Sequence, residues 1–363
     1  MSPPELRAVE VKAKLALLRE CLDKTGAAAI RLRGIDWFAW VTGGGSSAVL
    51  QCAEVGVAEV LVTQDEAVIL TDEIEAARLR EEEVPAGFSF HVSPWAQIEL
   101  RERYVLGLAG EAGVLSDRPH NGEQPLPHAL RLRRLVLGEA EQARYRVLGR
   151  EAAEAMSEVL RAARPEWTEY QLAGAGAQAL WRRGIHPALV LAAGERRLPL
   201  FRHPTPSFEP IGSRAMLVFC ARRHGLYANL TRFVGFGPAP QEQGALMEVE
   251  ATGLAAVAPG KSLSAVYHAF DAAYKHADRA EALNEHHQGG ITGYLAREMV
   301  ATASTATGLE PGMAFAFNPS FAGLKIEDTF LLGPQGLENL TFDPQWPAVN
   351  VHGRQRPLWL EVT

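Results

Sequence analysis

Apolar residues at helical spacing open the chain. Leu6, Val9, Val11, Leu15, Leu17, Leu18, Cys21 and Leu22 recur across residues 5–24 and predict an amphipathic helix. Ala27–Arg31 then reads as a strand. Trp37–Thr42 reads as a second short strand that runs into the loop signal Gly43-Gly44-Gly45-Ser46. Val60–Thr63 and Ala67–Thr71 flank Gln64-Asp65-Glu66 and predict a hairpin, followed by a charged helix over Glu73–Glu83. This alternation predicts an α/β unit ending near residue 135, with the polar, proline-bearing stretch Asn121–Pro127 as the crossing.

A long helix is predicted from Glu139 to about Arg164, where Pro165 ends it. Thr168 is the expected N-cap of the next, which runs to about Arg183. Strands follow over Ala188–Ala192, Ala215–Cys220 and Leu230–Val234. Helices over Gln241–Ala258 and Leu263–His276 come next, then strands over Ala314–Phe317 and Ile326–Leu332. The order helix, helix, strands, helix, helix, strands suggests an internal duplication. Gly225-Leu226 with Thr231 and Gly323-Leu324 with Thr329 share one spacing, which makes Asn229 and Glu327 equivalent. The expected architecture is α/β (α+β) in two domains, residues 1–135 and 136–363.

Composition narrows the possible partners. Of 363 residues, 47% are hydrophobic and 22% charged, an ordinary globular balance. The formal net charge of −7 argues against nucleic acid as the main partner, since such binders carry a basic face. The three cysteines, Cys21, Cys52 and Cys220, are widely spaced and form neither a disulfide framework nor a thiolate zinc motif. No leader-like start is visible, and no run approaches the roughly 18 apolar residues of a membrane span. The expectation is a cytoplasmic protein that does not engage the membrane.

Several ordered stretches of the second half carry a family resemblance: Pro165-Glu-Trp-Thr-Glu169, Arg202-His203-Pro204, Gly225–Arg232 (GLYANLTR), Leu309-Glu-Pro-Gly-Met313 and Lys325-Ile-Glu-Asp-Thr329. Together they resemble the pita-bread family of methionine aminopeptidase, aminopeptidase P, prolidase and creatinase. Trp40-Val-Thr-Gly43, with Val62-Thr63, Asp65 and Leu70-Thr-Asp72, is similar to the smaller domain of prolidase and aminopeptidase P.

The peptidases of that family hold two divalent metals with two Asp, one His and two Glu, which activate a bridging water. Matched residue by residue, the resemblance puts the second aspartate on Asn229 and the first, eleven residues upstream, on Val218. The histidine falls on Gly290 and the first glutamate on Asn318, so only the last glutamate survives, as Glu327. The resemblance therefore implies the fold without its dinuclear metal, and no cofactor is expected.

On the same resemblance, His203, His286 and Glu327 are the candidate catalytic residues. His287, Asn229, Asn318, Arg297, Glu298 and Lys325 are the candidate substrate-binding residues. The expected function is metal-independent hydrolysis of a small amide or peptide-like C–N bond, with the ligand held between the domains. The mixed-to-positive charge of these residues points to a ligand with a carboxylate or another anionic group, and to histidines titrating between about pH 6 and 8. A more ordinary expectation for Asn229 and Asn318 is a hydrogen bond to each other across the former metal site. The alternative functions are a non-catalytic ligand-binding or interaction protein and, last, a metal-dependent Xaa-Pro peptidase. Trp37-Phe38-Ala39-Trp40 reads as an aromatic edge through which a homodimer would form; the competing reading places both tryptophans in the core.

Overall fold

The computed structural model describes residues 3–110 and 112–362, which fall into two compact units. The first comprises residues 1–134 with 138–141 and 224–226; the second comprises 135–137, 142–223 and 227–363.

In the first unit α1 (Pro3–Thr25) precedes β1 (Ala29–Gly34), α2 (Ile35–Val41), β2 (Val55–Val62), β3 (Ala67–Asp72) and α3 (Ala76–Arg78). Then come β4 (Ser89–Ser93), α4 (Glu99–Ala109), β5 (Val114–Ser116), β6 (Gln124–Pro125) and α5 (His128–Arg134). The strands make one mixed sheet in the order β4-β3-β2-β1-β5-β6, and β2–β3 is the hairpin read from the sequence. Every residue of β1 is buried, so its two arginines need partners. Arg31 finds Glu59 and Glu102, each at 2.5 Å, and Arg33 finds Glu123 at 2.5 Å.

The predicted strand over Trp37–Thr42 is a helix instead. Apolar throughout, the run carries no periodicity that separates strand from helix. Thr42 Oγ1 donates to the Phe38 carbonyl at 2.7 Å and Gly44 N–H to that of Ala39 at 2.7 Å, closing a helical C-terminus. Trp37 and Trp40 are 5% and 3% exposed and pack edge to face at 5.3 Å, so the aromatic surface offered for a homodimer is core.

The second unit holds all but the first residues of α6 (Glu139–Ala162) and of β9 (Leu226–Gly235), with α7 (Glu169–Trp181), β7 (His186–Gly194) and β8 (Arg214–Arg223) between them in the chain. It continues through α8 (Gln243–Ala255), α9 (Leu263–His276), α10 (Ala282–Glu285), β10 (Gly289–Thr292), β11 (Met299–Val300), β12 (Ala314–Phe317), β13 (Ser320–Phe321) and β14 (Leu324–Lys325). It closes with β15 (Asp328–Gly333), β16 (Gly336–Asn339), β17 (Ala348–Val351), β18 (Arg354–Pro357) and β19 (Leu360–Glu361). A four-stranded sheet β19-β9-β8-β7 and a five-stranded sheet β11-β10-β12-β15-β16 carry the site. Thr168 caps α7 through a full capping box with Gln171.

The duplicated motif is structural as well. Gly225 and Gly323 hold φ of 79° and 78°, a backbone region open to glycine, and each starts a hairpin return. Thr231 N–H donates to the Glu327 carbonyl at 3.1 Å, while Thr329 Oγ1 donates to the Asn229 carbonyl at 2.9 Å. The two repeats thus cross-bond in equivalent pairs.

Candidate active site

Strand alternation decides which side chains reach the site. Thr231 and Glu327 face each other, whereas their chain neighbours Arg232 and Asp328 pair at 2.6 Å in a separate buried network with Arg356 and Glu250. Glu327 is 2% exposed and both its oxygens are engaged. Arg297 holds Oε1 at 2.7 Å; Lys325 Nζ and Thr231 Oγ1 reach Oε2 at 2.9 and 2.8 Å. Burial alone would push this carboxyl up, but the Lys325 and Arg297 charges outweigh it and hold Glu327 far below the usual carboxylate range.

Three imidazoles lie beside this group. His203 comes from the loop between β7 and β8. That loop is fixed by the fully buried Glu169, which accepts from Gly194 N–H (2.8 Å), Ser207 N–H (3.0 Å), Ser207 Oγ (2.7 Å) and Arg197. His286 and His287 come from the link between α10 and β10. His203 Nε2 stands 2.9 Å from His286 Nε2, and His286 Nδ1 stands 2.6 Å from the His287 carbonyl. His287 Nδ1 accepts from Gly289 N–H at 3.2 Å. His286 is buried; His203 and His287 are exposed.

The expected titration near neutrality does not hold. Burial, reinforced by Lys325, pulls His286 down to about 3. Burial and Arg297 bring His287 to about 4, and burial with Lys325 lowers His203. All three shifts favour the neutral imidazole, so the pH 6–8 window expected for the cluster moves toward acid.

The other expected residues divide. Asn229 and Asn318 do not bond each other. Asn229 Nδ2 donates to Thr292 Oγ1 at 3.0 Å, and the Oδ1 atoms of both asparagines are buried without a partner. Glu298 turns inward, its Oε1 accepting from Tyr294 and Leu295 N–H at 2.9 and 3.2 Å, so part of its capacity closes a turn. Val218 is a buried, apolar strand residue. Gly290 lies in the fully buried β10, where a Cβ would come 2.1 Å from the Met299 carbonyl oxygen. The strand there is made of small residues because neighbouring backbone leaves no room.

Thr231 and Cys220 escaped the sequence reading. Burial pushes the Cys220 thiol up to about 11 and the Glu327 charge adds to the rise, which places it within electrostatic reach of the site. The signal was available for Thr231 in the repeated motif, and for Cys220 in its position two residues after Val218 on one strand face.

The three imidazoles have ligand atoms within 4.8 Å of one another, the spacing of a single-metal site. Two features oppose that use. His287 Nδ1 is taken by a backbone donor, and positive charge acts on the rings, from Lys325 on all three and from Arg297 on His203 and His287.

Residues 143–334 match the family profile described as metallopeptidase family M24. The chain belongs to that family, and its second unit has the pita-bread fold. Solved structures agree over nearly the whole length. An Xaa-Pro dipeptidase from Bacillus anthracis superposes with a TM-score of 0.75 at 18% identity, covering 92% of this chain and 98% of that one. Dipeptidase PepE from Mycobacterium ulcerans gives 0.72 at 20% identity, with 93% and 96% covered. The N-terminal domain of the FACT complex subunit SPT16 from Cicer arietinum gives 0.69 at 13% identity, with 92% and 96% covered. No protein of curated function matches the sequence. Among the described residues, no helix is long and apolar enough to cross a membrane.

Proposed function

We propose that this M24 member works without the family's dinuclear metal, binding a small carboxylate-bearing amide or peptide-like ligand at the His203–His286–His287 cluster and hydrolysing its C–N bond. The observation that carries the reading is the pairing of Glu327 with Arg297 and Lys325. Two dications would have to displace both resident cations from the one surviving carboxylate. The remaining former ligand positions offer an apolar side chain, a glycine with no room, and two neutral amides. That set does not fit a two-metal centre.

Without metal, the chemistry falls to proton transfer and orientation. A positioned imidazole contributes about 10²–10⁴-fold, and the rest must come from holding the ligand in place. Lys325 and Arg297 together exceed the single Glu327 charge, which supports an anionic group on the ligand. The test is a screen of small amides and Xaa-Pro dipeptides with metal-stripped protein, followed by thermal shift and product formation. Turnover that survives chelation and falls on His203→Ala supports the hydrolase.

The second reading is a non-catalytic ligand-binding or interaction protein. It is favoured by the fold's likeness to a subunit of the FACT complex. Ligand-induced stabilisation with no product across the screen would select it.

A further inference from the structure

A cavity of about 10 Å³ in the second unit has apolar walls except for Arg202, His286, Ser320 and Lys325. That volume holds roughly one water-sized group. Two of the polar side chains bring unmet hydrogen-bonding atoms to it. Ser320 is 2% exposed, and its Oγ has no partner among the described residues. Arg202 gives its Nη2 to Glu285, while its Nε is buried and has no partner either. A buried polar atom left unpaired is costly, so two of them at one small cavity point to an occupant.

Counting hydrogens decides what that occupant is. Arg202 Nε and Lys325 Nζ only donate, and a serine hydroxyl can donate. Lys325 spends one of its hydrogens on Glu327. His286 has both ring nitrogens engaged, with the His287 carbonyl and with His203 Nε2. Among the lining side chains, Ser320 Oγ is therefore the one strong acceptor left. A water accepting from Arg202 would leave at least one hydrogen against an apolar wall, whereas a monatomic anion has no hydrogen to place. The nearby charges are the pairs Arg202 with Glu285 and Lys325 with Glu327. The Glu285 side chain is 45% exposed and shared with solvent, which leaves the Nε side of the guanidinium positive. Phe201, in the same wall, is 46% exposed, so the cavity is not sealed from solvent.

We propose that this cavity is a halide site, where chloride accepts from Arg202 Nε–H and Ser320 Oγ–H with Lys325 as the neighbouring cation. A whole carboxylate or phosphate exceeds the volume. The site does not depend on the histidine cluster binding a ligand. Because the anion binds the folded chain, it should also stabilise it.

Crystals of the full chain grown in sodium bromide test the proposal by anomalous scattering, with a bromide peak expected between Arg202 and Ser320. In solution, exchanging sodium gluconate for sodium chloride at fixed ionic strength should raise the melting temperature, gluconate being too large to enter. Ser320→Ala, which touches no charge, should raise the chloride concentration for half the effect on the order of tenfold, the worth of about one hydrogen bond. Arg202→Met should abolish both the peak and the rise, and Glu285→Gln, which leaves Nε in place, should keep both. No bromide at this position overturns the halide site. So does a melting temperature that responds equally to chloride and gluconate, or a chloride response unchanged in Ser320→Ala and Arg202→Met. Acetate acting as strongly as chloride would place an oxyanion there and overturns the halide assignment as well.

Discussion

Lys325 Nζ stands 2.9 Å from Oε2 of Glu327, two residues along the same chain segment, while Arg297 takes the opposite oxygen at 2.7 Å. A buried carboxylate is costly unless its charge is met, and here the chain itself meets it from two directions. At the one ligand position that the family resemblance leaves intact, positive charge is covalently part of the protein.

Removing that charge should therefore be felt as stability. Lys325→Met leaves Arg297 in place and should cost about 1–3 kcal/mol, the penalty of one lost charged hydrogen bond. The double change Lys325→Met with Arg297→Met strands the carboxylate and should cost about 3–5 kcal/mol. Adding Glu327→Gln should recover much of the loss. Urea unfolding of the set measures this; an unchanged midpoint in the double variant would mean that Glu327 does not depend on either cation.

Gly290 offers a second stability test. Its missing Cβ would sit 2.1 Å from a carbonyl oxygen of the neighbouring strand β11. Gly290→Ala should destabilise by about 1–3 kcal/mol or more, since backbone rather than a flexible side chain must move. Gly290→His, the change that would rebuild the family's histidine ligand, should yield little folded protein. A thermal melt of Gly290→His equal to the wild type would show that the strand has room after all.

The pH dependence follows from the direction of the histidine shifts. His286 folds with its pKa lowered to about 3, so below about pH 6.5 the unfolded chain binds a proton that the folded chain does not. Its stabilising contribution is present above that pH and is lost as pH falls toward 3, at up to about 1.4 kcal/mol per unit. His186 shifts the same way, so the comparison is between wild type and His286→Gln. The variant should lose less stability between pH 6.5 and 4.5; parallel curves would place no depressed pKa on His286.

Glu169 ties the His203 loop to the end of β7, at the first turn of α7. Glu169→Ala leaves the buried donors of Gly194 and Ser207 without an acceptor and should cost about 2–4 kcal/mol. Glu169→Gln keeps the shape but loses the Arg197 ion pair and should cost less. Limited proteolysis is expected to cut first within residues 197–207 in the alanine variant. Cleavage elsewhere, with this loop intact, would mean that other contacts fix His203.

Where local chemistry sets the structure, the sequence was readable. Thr168 was read as the N-cap of α7 and caps it, and the helix expected over Leu263–His276 has those ends. The repeated glycines marked true hairpins. The Trp37–Val41 run misled because uniform apolarity carries no period. Arg297 and Lys325 were read as substrate-binding residues for an anionic ligand, whereas both pair with Glu327. That pairing spans 30 residues for Arg297 and depends on burial, which no residue reports on its own. The histidine shifts were missed for the same reason. Asn229 was expected to meet Asn318, yet β10 brings Thr292 to its amide instead.

The central claim is that resident cations replace the family's metals, and elemental analysis tests it most directly. The protein would be incubated with Mn, Co or Zn, passed through a desalting column and analysed beside its Glu327→Gln variant. The account expects no stoichiometric metal in either protein, and cleavage of Xaa-Pro dipeptides at background with or without added ion. Two metals per chain in the wild type, lost in Glu327→Gln and accompanied by metal-stimulated Xaa-Pro cleavage, would contradict it.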